Sequence, residues 1–135
     1  MNTKIILLLI IFLGAALRIA HLGDYPAGFF RDEAALGYNS YSIWLTGKDE
    51  YGMPFPLVFR SFEVFFLPLY VYLSAPIVGI LGLSEFSTRF LSAFAGVVAL
   101  VVTFFIAYEI WKDKKLALLS VFVLAISPWH IFFSR

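Results

Sequence analysis

The chain has 135 residues, of which 61% are hydrophobic, 19% aromatic and 14% charged, with a formal net charge of +1. Soluble domains carry about 25% charged residues, so the composition points to a polytopic membrane protein and away from a water-soluble enzyme. The absence of cysteine excludes disulfides, thiolate catalysis and cysteine-based metal sites, and no Lys/Arg run marks a nucleic-acid surface.

In chain order, the first apolar run is Ile5–Ala20, continuing to Leu22, with Lys4 before it and Arg18 and His21 near its end. Gly14-Ala15-Ala16 could imitate a signal-peptide cleavage site. The length of the run favours an uncleaved membrane helix over 4–22, with Arg18 snorkelling to the interface. A polar, aromatic loop over 23–63 follows. Within it, Ala34, Tyr38, Tyr41 and Leu45 recur at helical spacing, predicting a helix over 32–46 that lies along the membrane surface and ends at Gly47. Gly52, Pro54 and Pro56 make the next stretch loop.

Three further apolar runs follow: Val64–Leu83, Phe90–Tyr108 and Leu116–Phe133. Crossing a bilayer takes about 20 apolar residues. The second run holds Pro68, Pro76, Gly79 and Gly82, which suits a bent or re-entrant helix over 64–83. The third predicts a crossing over 87–111, capped by Ser84 or Ser87. The fourth predicts a crossing over 116–133 that breaks at Pro128. The fold class expected is all-α: transmembrane helices plus an external loop carrying amphipathic interfacial helices.

Charge placement sets the expected orientation. Lys112, Lys114 and Lys115 cluster between runs three and four, whereas residues 24–63 hold three basic and six acidic residues. Short cytoplasmic loops carry the Lys/Arg excess, so the lysine turn reads as cytoplasmic and the acidic loop as external. That assignment requires the second run not to cross. Four plain crossings are the alternative.

The chemistry concentrates in Arg31-Asp32-Glu33. A structural reading makes Asp32 the cap of the surface helix, with Glu33 near the positive end of its dipole. A functional reading uses the same geometry. The helix N-terminus offers N–H groups to an anion, Arg31 adds a planar donor fork for phosphate, and Asp32 takes a proton from a hydroxyl as general base. Glu63 borders the second apolar run and could face the site. Arg89 and Arg135 could approach a phosphate, although surface anchoring explains both. Asp49-Glu50 reads as a solvated loop pair that could assist a metal. His21 and His130 read as interfacial, and Tyr51, Tyr70 and Tyr72 as belt or packing residues.

The ordered set resembles the N-terminal part of the C-type (GT-C), polyprenyl-phosphate-sugar-dependent membrane glycosyltransferases. These include the protein O-mannosyltransferases, the lipid A aminoarabinose transferases and the RgtA/B/C/D-like proteins. The elements that carry the resemblance are the first helix, Asp32-Glu33, Pro68-Leu69-Tyr70, the run Gly82 to Arg89, the turn Trp111 to Lys115, and Ser127-Pro128-Trp129-His130 leading to Ser134-Arg135. Phe65-Phe66-Leu67-Pro68 lacks the lysine of the aminoarabinose subgroup's Lys-Pro pattern.

The resemblance implies transfer of a sugar from a polyprenyl-phosphate-linked donor to a protein, lipid or polysaccharide acceptor, on the external face of the plasma membrane. It implies Asp32 and Glu33 as catalytic residues, Arg31 at the donor phosphate, and Glu63 and Arg135 as secondary candidates. A divalent cation could organise the phosphate. Family members have more helices and a further acidic residue beyond the position of Arg135, so the chain reads as an N-terminal fragment, inactive alone. The competing reading is a non-enzymatic transporter half or lipid-binding subunit, with the second run as a broken helix lining a site.

Overall fold

The computed structural model describes residues 2–61 and 64–135. In chain order the elements are α1 (Thr3–Ile19), α2 (Arg31–Thr46), β1 (Phe59–Ser61), β2 (Val64–Phe66), α3 (Pro68–Leu81), α4 (Glu85–Trp111), α5 (Lys114–Ile126) and α6 (Pro128–Phe133). They form two compact units, one of residues 1–20 and 92–135, the other of residues 21–91; α4 contributes its first turns to the second and the rest to the first.

The unit of residues 21–91 is built on α2, α3 and a small sheet. Ile43, Phe59, Val71 and Ala75 form its core, flanked by Leu36, Phe66 and Tyr72. The Phe59 and Tyr72 rings meet edge to face at 5.7 Å. The buried hydroxyls of Ser40 and Ser74 bond to each other at 2.7 Å across α2 and α3. The helices approach closely because Gly79 lies against the Trp44 indole, where a Cβ would overlap the ring. Tyr70 Oη donates to Thr88 O at 2.7 Å. α2 ends as expected at Gly47, whose φ of +68° favours glycine.

The chain is mostly helical, as expected, with six helices among the described residues; the addition to the all-α expectation is one antiparallel pair, β1 with β2, in the register Phe59↔Phe66, Arg60↔Phe65 and Ser61↔Val64. Aromatic and β-branched residues suit such a pleated, half-buried surface, and β1 alternates buried, exposed, buried. The apolar run expected as one helix over 64–83 therefore splits. Its first residues join the sheet, and Leu67, disfavoured from α geometry by the following proline, precedes a helix with Pro68 in its first turn. The helix then continues through Pro76.

The unit of residues 1–20 and 92–135 packs α1 against α5 and the long part of α4. Ile10, Leu100, Val121 and Ala125 are its buried core, with Ile6, Leu7, Phe104, Leu118 and Leu124 around them. A Cβ on Gly14 would overlap Leu100 Cδ1. Among the described residues one helix, α4 with 27 residues, is long and apolar enough to cross a membrane; at 1.5 Å per residue it spans about 40 Å. Leu8 and Phe12 of α1, Phe105 and Ile110 of α4, and Leu119 and Val123 of α5 are exposed.

Two expected boundaries move. α1 stops at Ile19 rather than Leu22: His21 takes a positive φ, and Leu22 is buried with residues 21–91. The run over 116–133 is two helices, because Pro128 has no N–H to give to Leu124 and Ser127 adopts extended backbone. α4 begins at Glu85 with reciprocal capping between the two candidate serines: Ser87 N donates to Ser84 Oγ at 3.2 Å, and Ser84 N to Ser87 Oγ at 3.1 Å.

Candidate functional site

The Arg31-Asp32-Glu33 triple opens α2. Phe30 is the extended N-cap, and the Glu33 carboxylate reaches back to accept its N–H at 3.2 Å. Asp32 is thus the second residue of the helix rather than its cap. Successive helical residues point about 100° apart, so the three adjacent charges diverge.

Glu33 turns to Arg89. Arg89 Nε donates to Glu33 Oε1 at 3.1 Å and Nη2 donates to Oε2 at 2.9 Å. The remaining donors go to backbone: Nη1 to Leu22 O at 3.2 Å and Pro26 O at 3.0 Å, Nη2 also to Gly28 O at 2.8 Å. All five N–H groups of the guanidinium are used. At 2% side-chain exposure, Arg89 is neither a surface anchor nor open to a phosphate. It ties the 22–28 loop and the start of α2 to the start of α4.

Arg31 turns the other way. With Ala34, Ala35 and Tyr38, at i, i+3, i+4 and i+7, it forms one wall of a cleft of about 320 Å³ completed by Glu50, Tyr51 and Ser61. Glu50 is held there by a buried amide: Asn39 Nδ2 donates to Glu50 Oε1 at 3.2 Å, and Glu50 N donates to Asn39 Oδ1 at 3.1 Å. Asn39 is fixed in turn by donating to Ala35 O at 2.9 Å. Arg60, which does not line the cleft, lies over the Tyr51 ring at 5.8 Å. Asp49 does something different from its neighbour. It is buried, and its Oδ1 accepts from Tyr51 N at 3.0 Å and Met53 N at 2.8 Å, closing the turn.

Asp32 lies between these directions, half-buried, and its carboxylate accepts no hydrogen bond from the described residues. Glu63 lies outside the described residues. Arg135 belongs to the other unit, where its Nη2 donates to Ala20 O at 2.6 Å. Among the described residues no three His, Asp or Glu side chains gather as a metal site.

The other unit holds a second buried cation. Arg18 is 0% exposed. Its Nη1 donates to Gly14 O at 2.9 Å and Ala125 O at 3.1 Å, its Nη2 to Leu124 O at 3.2 Å, and Nη2 lies 2.8 Å from His130 Nδ1. A guanidinium only donates, so His130 Nδ1 is the acceptor and its ring is neutral there. The last carbonyls of α5 lose helical partners at the Pro128 break and carry the negative end of the helix dipole. Arg18 satisfies them, so it is a buried C-terminal cap rather than a snorkelling side chain.

Residues 78–135 match the family model of the dolichyl-phosphate-mannose-protein mannosyltransferases. The resemblance read from the sequence is thereby borne out over this stretch, and with it glycosyl transfer as the general activity of the family. The matched stretch holds Arg89, His130 and Arg135; Arg31, Asp32 and Glu33 precede it. No curated protein and no solved structure matches the chain.

Sequence reasoning missed the Asn39–Glu50 pair and the two buried arginines. The arginines had a signal: one cation in or beside an apolar run needs either water or a full set of acceptors. Glu50 had none, because an Asp-Glu pair in a Gly/Pro loop reads the same whether it points outward or into a cleft.

Proposed function

We propose that the chain is part of a membrane glycosyltransferase that moves a sugar from a polyprenyl-phosphate donor to an acceptor hydroxyl at the external face of the membrane. The match of residues 78–135 to the mannosyltransferase family carries this reading. The arrangement at the start of α2 supplies its chemistry. Arg31, at the positive end of α2, meets the donor phosphate. Asp32, whose carboxylate has no partner among the described residues, accepts the hydroxyl proton. The acceptor oxygen then bonds to the anomeric carbon. The bond from that carbon to the phosphate oxygen breaks, and polyprenyl phosphate leaves with the electron pair.

Glu33 contributes through Arg89, fixing where Arg31 and Asp32 stand. A donor whose lipid tail remains in the bilayer needs an interfacial site, and Tyr38, Tyr51 and Trp44, all exposed, are residues that favour that depth. The non-crossing reading of the second apolar run is supported by α3. Its 14 residues reach about 21 Å, short of a hydrocarbon core of about 30 Å.

The test is transfer by the full-length protein from a polyprenyl-phosphate sugar, with Asp32→Asn compared at equal protein level. A loss of kcat of about 100-fold or more is expected for removal of a general base. Unchanged transfer would remove Asp32 from the mechanism.

A further inference from the structure

The cleft beside α2 has the make-up of a sugar site. We propose that it holds a hydroxyl-rich sugar ring, with Glu50 and Ser61 as the residues that read the hydroxyls. The choice of sugar as ligand rests on the glycosyl-transfer reading; the choice of residues rests on the cleft.

Three observations point there. First, Glu50 is preorganised. Asn39 engages both its backbone N–H and its Oε1, leaving Oε2 without a hydrogen bond from the described residues. A carboxylate held this way accepts from hydroxyls in a fixed geometry, and hydrogen bonds to a charged acceptor are the strong ones. Second, Ser61 lines the cleft, and its hydroxyl makes no hydrogen bond with the described residues, so a ligand hydroxyl in the cleft can pair with it. Third, Tyr38 and Tyr51 stand at the walls with more than half their surface exposed, 52% and 59%. Aromatic faces suit the apolar C–H face of a sugar, while the polar groups fix its orientation. The volume of about 320 Å³ is in the range of small-ligand sites. Arg31 on the same wall places a cation where a phosphate attached to that sugar would lie. Asp32 is not part of the cleft lining, so sugar recognition and proton transfer fall to different side chains.

The test uses the full-length protein in lipid nanodiscs and two soluble probes, methyl α-mannoside and mannose 1-phosphate, followed by ligand-observed NMR titration. Wild-type protein is expected to bind both saturably. Glu50→Gln keeps the shape and removes the charge, and is expected to weaken methyl α-mannoside about 10-fold or more. Ser61→Ala is expected to weaken it about 3- to 10-fold. In a parallel transfer assay, Glu50→Gln should raise the donor KM more than it lowers kcat. Binding by both Glu50→Gln and Ser61→Ala at wild-type strength, or no binding of either probe by the wild type, overturns the proposal. If transfer proceeds while those variants keep the wild-type KM, the cleft assignment fails and the glycosyltransferase reading stands. If the variants lose probe binding but no polyprenyl-phosphate sugar is transferred, the cleft stands and that reading fails.

Discussion

Replacing Arg89 with methionine tests what holds the start of α2. The substitution keeps the apolar stem and removes all five donors. Glu33 retains the Phe30 N–H and, with 27% side-chain exposure, some access to water. The carbonyls of Pro26 and Gly28 belong to exposed residues and can be rehydrated; that of Leu22, a residue 1% exposed, cannot. Removing one partner of a buried ion pair costs about 3–5 kcal/mol. Partial exposure of Glu33 and of two carbonyls puts the expected cost toward the lower end, about 3 kcal/mol. Glu33→Gln leaves the guanidinium with its three carbonyls and a neutral acceptor, so it should cost about 1–3 kcal/mol. The Arg89→Met/Glu33→Gln double variant removes both charges, and its cost should fall short of the summed singles by about 1–3 kcal/mol. The assay is reversible unfolding in mixed micelles, with amide exchange over residues 21–33 reporting whether the loop opens locally. A single-variant cost below about 1 kcal/mol, or additivity of the two changes, would refute the clamp.

Four further outcomes are expected. Gly79→Ala drives a methyl into the Trp44 indole and should cost about 1–3 kcal/mol with a shifted Trp emission; a smaller side chain in Trp44→Ala should recover most of that stability. Arg18→Met leaves the Ala125 carbonyl unpaired and Leu124 O with only the long bond from Ser127 N at the α5 break and should cost about 2–3 kcal/mol, with faster exchange over residues 124–130; unchanged exchange there would dismiss the cap. Ser40→Ala should cost about 1 kcal/mol through its bonds to Ser74 and the Leu36 carbonyl, measured by the same unfolding titration. An impermeant thiol reagent on intact cells should label a single cysteine placed at Asp24 and spare one at Asp113; the reverse would invert the orientation.

Much of the secondary structure was readable because it depends on near neighbours. Apolar runs gave α1 and α4, Gly47 ended α2, and the Ser84/Ser87 pair opened α4. Errors came where a local signal was ambiguous. Val64–Phe66 is apolar and aromatic whether it is helix or strand, and pairing with Phe59–Ser61 decided the matter. Pro76 has no N–H for the Tyr72 carbonyl, yet the helix runs on through it to Leu81.

Composition and hydropathy pattern alone mark the chain as strongly apolar, place the limits of α1, α2 and α4 to within a few residues, and show that a charged triple interrupts it. For Arg18 and Arg89 the sequence left two outcomes open, interfacial water or protein acceptors, because an ionised group away from both is too costly to leave alone. Which acceptors they found was settled only by the tertiary structure. Glu33 and Arg89 lie 56 positions apart, and Arg18 and Ala125 lie 107 apart. Adjacency made Arg31, Asp32 and Glu33 look like one site; the helical rotation sent Arg31 to a cleft with Glu50 and Glu33 to a clamp with Arg89. Spacing along a chain fixes the direction in which a side chain leaves its helix, whereas its partner depends on what other segments bring to that face.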